Sequence, residues 1–159
     1  MPFPLPKGDP CYFCEIILGR ADRWNVIEQT ELTMTVLNGR QYEIGQCIVV
    51  PIRHAPTLLE LSDGEAAAVM SSAKRLTAAM MKAFAPDGVL LYQNNGVGSG
   101  QEVPHFHLHV VPRREGSDWG LGPPHVAKLK ESLGPPEHNY AKPTPSKGAT
   151  IAQLKRHYG

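Results

Sequence analysis

Three histidines, His105, His107 and His109, stand at intervals of two in GQEVPHFHLHVVPR, residues 100–113 of a 159-residue chain, with Phe106, Leu108 and Val110 in the alternating places. In an extended strand alternate side chains leave opposite faces, so the imidazoles share one face and the apolar residues the other. Ring nitrogens aimed at one place can do two kinds of chemistry. Imidazoles spaced by about 7 Å along a strand can converge on one metal ion. Alternatively, a neutral imidazole can attack a phosphorus atom, carry the group covalently and hand it to water, while neighbouring donors hold the charged oxygens.

The loop just upstream, NNGVGSGQ, bears on that choice. Its glycines let backbone N–H groups approach an anion closely, as a phosphate cradle requires. It lacks the lysine of a Walker loop, and its G-x-G-x-G spacing is not the dinucleotide fingerprint. Placed directly before three convergent imidazoles, it favours phosphate chemistry.

Cys11 and Cys14 form a C-x-x-C pair behind a proline-rich start. A thioredoxin-like redox role needs a strand before the motif and a helix opening at it. A zinc site needs two more ligands. His54 and His105 are available, and two cysteines with two histidines close a tetrahedron of the structural kind. The bland alternative is two reduced cysteines in a packed helix and a lone surface histidine.

The elements that must position these residues follow from periodicity. CYFCEIILG reads as a short helix stopped at Gly19. Trp24 to Glu28 and Leu32 to Leu37 read as a hairpin of strands, followed by the turn residues Asn38 and Gly39. Gln46 to His54 is β-branched and nearly continuous, a central strand whose end is marked by Pro51. Ser62 and Glu65 make a capping box for one long helix, whose apolar face carries Val69, Ala73, Leu76 and Met80 until Pro86 and Gly88 end it. Gly88 to Gln93 is a further strand, and the histidine segment is the last. This order predicts an α+β domain, a mostly antiparallel sheet with the long helix on one face.

Composition sets the limits. A hydrophobic fraction of 42% over 159 residues suits one packed domain and is short for two. The 16 Lys and Arg against 15 Asp and Glu exclude a chain built to seek polyanions, so nucleic acid is not an expected partner. No apolar run approaches the roughly 18 residues of a membrane span, and the start lacks a basic segment before an apolar one, so a soluble, cytoplasmic protein is expected. Beyond Trp119 glycine and proline are frequent and the charge turns positive. Residues 120–159 read as an extension in which Val126 to Leu133 and a helix carrying Ile151, Leu154 and Tyr158 could be ordered.

HFHLHVV matches a pattern of histidines alternating with apolar residues, and the chain resembles the histidine triad (HIT) family of nucleotide hydrolases and transferases over residues 11–119. CYFCEII, Asn38 after a strand, VVPIRH, the long helix and NNGVGSGQ occur in the family's order. The resemblance implies a sheet of about five antiparallel strands, as in homodimers that join sheets side by side. It implies that His107 attacks the α-phosphate of a nucleoside phosphoramidate or dinucleoside polyphosphate, and that water then releases a nucleoside monophosphate such as AMP. His109 would donate to phosphate oxygens and the leaving group. Gln101, Asn94 and Gly100 would serve the phosphate, Asn38 the ribose, and Tyr12, Phe13 and Ile16 the base. Relatives with the early C-x-x-C imply a structural Zn2+ on Cys11, Cys14, His54 and His105. Two departures stand out. Gln46 stands where most relatives have His or another residue before the central strand, which weakens a hydrogen-bond relay built on that side chain, and Glu102 places a carboxylate beside the phosphate site. Rival readings are a phosphorylase or nucleotidyltransferase, a metal-centred hydrolase, and a non-catalytic zinc-stabilised nucleotide-binding protein.

Overall fold

The long helix explains the architecture best, because its start and its stop are both written locally. In the computed structural model, which describes residues 3–23, 25–116, 152, 155 and 156, Ser62 caps it by accepting from the Glu65 N–H, and Glu65 reciprocates to the Ser62 N–H. The helix (α2, Asp63–Phe84) ends where Ala85 takes a left-handed conformation, φ 44°, just before Pro86. Its buried stripe of Val69, Ala73, Leu76, Ala79 and Met80 packs on one face of the sheet.

The strands are β1 (Val26–Gln29), β2 (Thr33–Leu37), β3 (Cys47–Pro51), β4 (Gly88–Tyr92) and β5 (Leu108–Arg113), in spatial order β1-β2-β3-β5-β4 and antiparallel throughout. The α+β expectation and its five-stranded sheet are therefore met. Trp24, with which the first strand was expected to begin, and the ordered pieces expected beyond residue 119 lie outside the described residues, apart from Ala152, Lys155 and Arg156 in helical conformation.

Alternation divides the sheet into two faces. Leu37, Cys47, Val49, Leu108 and Val110 meet α2. On the other face Met34, Val36, Ile48 and Val50 pack against Phe13 and Ile16 of the short helix α1 (Tyr12–Ile17). With only six residues, α1 covers the β2–β3 half of that face. On the β5–β4 half Val111 is buried with Tyr42, Leu90 and Tyr92 against it, and His109 is paired with Tyr92 in the register.

The histidine segment departs from the expected strand. Regular pairing of β3 with β5 stops at Val49↔Leu108, so only His109 of the three belongs to a strand. Proline accounts for this. Pro51 has no N–H for the ladder, and its carbonyl accepts instead from the His105 ring at 3.0 Å, while the Phe106 N–H reaches past it to the Ala55 carbonyl at 2.6 Å. The side chains still alternate, with Phe106 in the α2 core.

Candidate active site

Each of the three imidazoles has its proton placed by a neighbour whose role is not negotiable. A carbonyl can only accept. His105 Nε2 lies 3.0 Å from the Pro51 carbonyl, so it carries the hydrogen and Nδ1 keeps a lone pair. His107 Nδ1 lies 2.6 Å from the His105 carbonyl, so the lone pair is on Nε2. For His109 the neighbour is Gln46, fully buried, whose Oε1 accepts from the Tyr42 N–H at 2.9 Å. That bond turns Gln46 Nε2 towards His109 Nδ1, 3.2 Å away, leaving the His109 hydrogen on Nε2. Far from weakening a relay, Gln46 fixes one.

Burial keeps these rings neutral. It lowers His105 to about 4, lowers His107 below the ordinary imidazole value, and lowers His109 to about 3, where His107 adds to the fall. The Tyr92 ring, opposite His109 in the β4–β5 register, stacks on it with centroids 4.3 Å apart and planes 13° from parallel. Burial pushes the Tyr92 phenol upward, so it too is uncharged.

His107 and His109 open onto a cavity of about 870 Å³. One wall is apolar, from Tyr12, Phe13, Val36 and Ile48; a second carries Asn38, Arg40 and Tyr42; the third is the glycine loop with Asn94, Gly98, Ser99, Gly100 and Glu102. Asn25 also lines it and is buried, with Nδ2 on the Leu37 carbonyl and Oδ1 without a partner among the described residues. Ile16 does not line the cavity; it is wholly buried in the α1 core.

Gln101 is placed differently from a phosphate ligand. Its side chain is buried, accepting from the Gly96 N–H at 2.7 Å and donating to the carbonyls of Pro56 and Val103 at 2.7 and 2.8 Å. Several of the loop's own N–H groups are similarly spent. Those of Ser99 and Gln101 bond the Gly96 carbonyl, that of Gly100 bonds Val97, and that of Val97 bonds the Pro4 carbonyl at 2.9 Å. The glycines therefore serve tight folding more than a cradle of free N–H groups: Gly96 at φ +79° has its missing Cβ position 2.6 Å from Phe3 Cβ, so the N-terminal arm lies directly on the loop.

Beside His107 the ligating atoms of Cys11, Cys14, His54 and His105 all lie within 4.8 Å of one another. His105 Nδ1 is 3.5 Å from Cys11 Sγ and 3.6 Å from Cys14 Sγ, and His54 Nδ1 is 3.3 Å from Cys14 Sγ. A tetrahedral zinc ion with its usual bond lengths separates S and N ligands by about 3.5 Å, so the donor set fits. Burial, with Cys11 next, pushes the Cys14 thiol up to about 11, a rise that a bound cation would reverse. His54 is held near the cluster by its neighbour. Arg53 forks onto Glu65 with bonds of 2.8 and 2.7 Å and reaches the Glu60 carbonyl, so the capping residue of α2 also anchors this corner.

Fold and site together define an α+β protein with convergent histidines at an antiparallel sheet and a Cys2His2 cluster beside them. The chain belongs to the histidine triad family: the HIT domain family model matches residues 22–116. It is 32% identical over 105 residues to adenylylsulfatase HINT3 of Arabidopsis thaliana, covering 66% of this chain and 53% of that one, so it spans about half the length of that relative. It is 33% identical over 112 residues to adenosine 5'-monophosphoramidase hnt1 of Schizosaccharomyces pombe, covering 70% of this chain and 80% of that one. Among solved structures, a zinc-bound histidine triad family protein from Mycobacterium smegmatis superposes with a TM-score of 0.74 at 24% identity, over 93% of this chain and 92% of that one. No described helix is long and apolar enough to cross a membrane.

Proposed function

We propose that this chain hydrolyses nucleotides at the α-phosphate, releasing a nucleoside monophosphate such as AMP from phosphoramidates or dinucleoside polyphosphates through a covalent nucleotidyl-His107 intermediate. The observation that carries this reading is the 2.6 Å bond from His107 Nδ1 to the His105 carbonyl, because it leaves Nε2 as a lone-pair donor at the wall of the cavity. Nε2 attacks phosphorus, and the bond to the leaving group breaks with its electron pair on the departing atom. A departing amine takes up a proton from solvent at the mouth, whereas a departing phosphate leaves as the anion. The imidazole is then cationic, and the His105 carbonyl accepts from its Nδ1–H. Water attacks phosphorus in turn, giving up a proton to solvent, the P–N bond breaks, and its electron pair returns to Nε2 as the lone pair.

His109 acts as a hydrogen-bond donor rather than a proton donor. Its Nδ1 already accepts from Gln46, so surrendering the Nε2 hydrogen would leave an imidazolate. Asn94 and the Gly100 turn face the phosphate, with Gln101 fixing the loop that carries them. Asn38 takes the ribose, and Tyr12 and Phe13 flank the base, with Ile16 supporting Phe13 from behind.

Cys11, Cys14, His54 and His105 would hold a structural Zn2+, which ties α1 to the histidine segment and supplies no chemistry to the reaction. The identity of the ion is supported by the donor set and by the zinc-bound Mycobacterium smegmatis protein. Side-by-side pairing of two chains would use an edge strand of the sheet, β1 or β4. The test is release of AMP from adenosine 5'-phosphoramidate by the wild type and by His107→Ala. Turnover should vanish in the variant while the fold persists; undiminished turnover ends the proposal.

A further inference from the structure

The cavity's charges are its least expected feature. Among the described residues that line it, Arg40 and Glu102 are the Asp, Glu, Lys or Arg side chains. A site built for a chain of phosphates ordinarily surrounds it with surplus lysine and arginine. Here a single arginine is matched by a single glutamate. The one arginine is engaged: Arg40 Nη1 lies 3.9 Å from Glu102 Oε2, bridging the turn after β2 and the glycine loop.

Both partners are anchored at the backbone. The Arg40 N–H donates to Asn38 Oδ1 at 3.2 Å. Glu102 follows Gln101, whose three side-chain bonds lock the loop. The backbone that carries the carboxylate is therefore held at the mouth, while its side chain is 72% exposed. An incoming polyanion that reaches Arg40 also lies near the Glu102 carboxylate.

Building on the hydrolase reading above, we propose that Glu102 is a charge filter that selects against leaving groups carrying further negative charge, so the preferred substrates join the α-phosphate to a neutral or cationic amine rather than to more phosphate or sulfate. Arg40 is its counter-ion. One unit charge acting across the partly wet mouth of a cavity changes a rate by about tenfold, and the effect must fade with salt because the pair is exposed.

The experiment compares kcat/KM for adenosine 5'-phosphoramidate and for a diadenosine polyphosphate in the full-length wild type, Glu102→Gln and Arg40→Gln. Glu102→Gln should move the ratio about tenfold towards the polyphosphate, and raised salt should shrink the difference between that variant and the wild type. Arg40→Gln should move the ratio the other way. A ratio that Glu102→Gln leaves unchanged, or that Arg40→Gln shifts towards the polyphosphate, overturns the filter while leaving the hydrolase standing. Failure of the wild type to release nucleotide from either substrate removes the hydrolase reading, and the filter with it.

Discussion

Replacing Gln46 tests whether one buried amide decides the chemistry of a histidine several strands away in sequence. Gln46→Leu removes both the donor to His109 Nδ1 at 3.2 Å and the acceptor of the Tyr42 N–H at 2.9 Å. Leaving those buried groups bare costs about 1–3 kcal/mol of stability. It also frees His109 to place its hydrogen on Nδ1, where it faces protein rather than phosphate. Losing a tautomer bias of about 1.4 kcal/mol corresponds to about a tenfold fall in kcat, with KM little changed because the base and ribose contacts are elsewhere. Gln46→Glu should act differently: a carboxylate facing Nδ1 demands a proton there, raising His109 from its depressed value of about 3. His109 can then keep its Nε2 hydrogen only as the imidazolium, so kcat/KM should acquire a falling limb on the basic side. The assay is AMP release across pH, with thermal unfolding of each variant alongside. A Gln46→Leu enzyme with wild-type kcat, or a Gln46→Glu profile identical to the wild type, would refute the assigned tautomer.

Three further outcomes are expected. Because burial lowers His107 below the ordinary imidazole value, its nucleophilic neutral form persists into acid, and kcat/KM should fall only as pH drops through that lowered value; an acid limb at or above the 6.5 of an unperturbed histidine contradicts this. Purified protein should carry one zinc per chain by metal analysis, and Cys14→Ser should lose it with destabilisation on the order of several kcal/mol; metal retained after both Cys11 and Cys14 are changed to Ser places it elsewhere. Gly96→Ala must fit a Cβ 2.6 Å from Phe3 Cβ and 3.1 Å from the Pro4 carbonyl at φ +79°, so it should cost about 1–3 kcal/mol in thermal unfolding and raise KM as the loop shifts; an unchanged melting temperature argues that the arm does not rest on the loop.

What the residues disclosed on their own divides by range of interaction. The Ser62–Glu65 cap, the stripe of α2 and the strand cores rest on neighbours a few positions apart, and they lie where their periodicity puts them. The Cys11, Cys14, His54 and His105 grouping joins distant residues, yet the side-chain types and the family resemblance were enough to bring it together on paper. Contacts that depend on packing left no local trace. Nothing near Gln46 announces that it turns an amide towards His109, nothing near Tyr92 that it stacks on the same ring, and nothing near Gln101 that its side chain is buried in the loop rather than facing phosphate. Two strands were drawn too long: the central one, which stops at Pro51 rather than His54, and the histidine segment, which is strand only from Leu108. Alternation was correct there, but Pro51, which lacks an N–H, ends the ladder and sends the ring of His105 and the backbone of Phe106 to different acceptors.

The central claim is that His107 Nε2 bonds to phosphorus during turnover. Rapid acid-free quenching with radiolabelled adenosine 5'-phosphoramidate, followed by peptide mapping, measures this directly. One AMP per active site should be trapped on the peptide carrying His107, labile to acid and stable to base as a phosphorus–nitrogen bond is, and absent in His107→Ala. Turnover without any trapped adduct in the pre-steady state, or label on another residue, contradicts it.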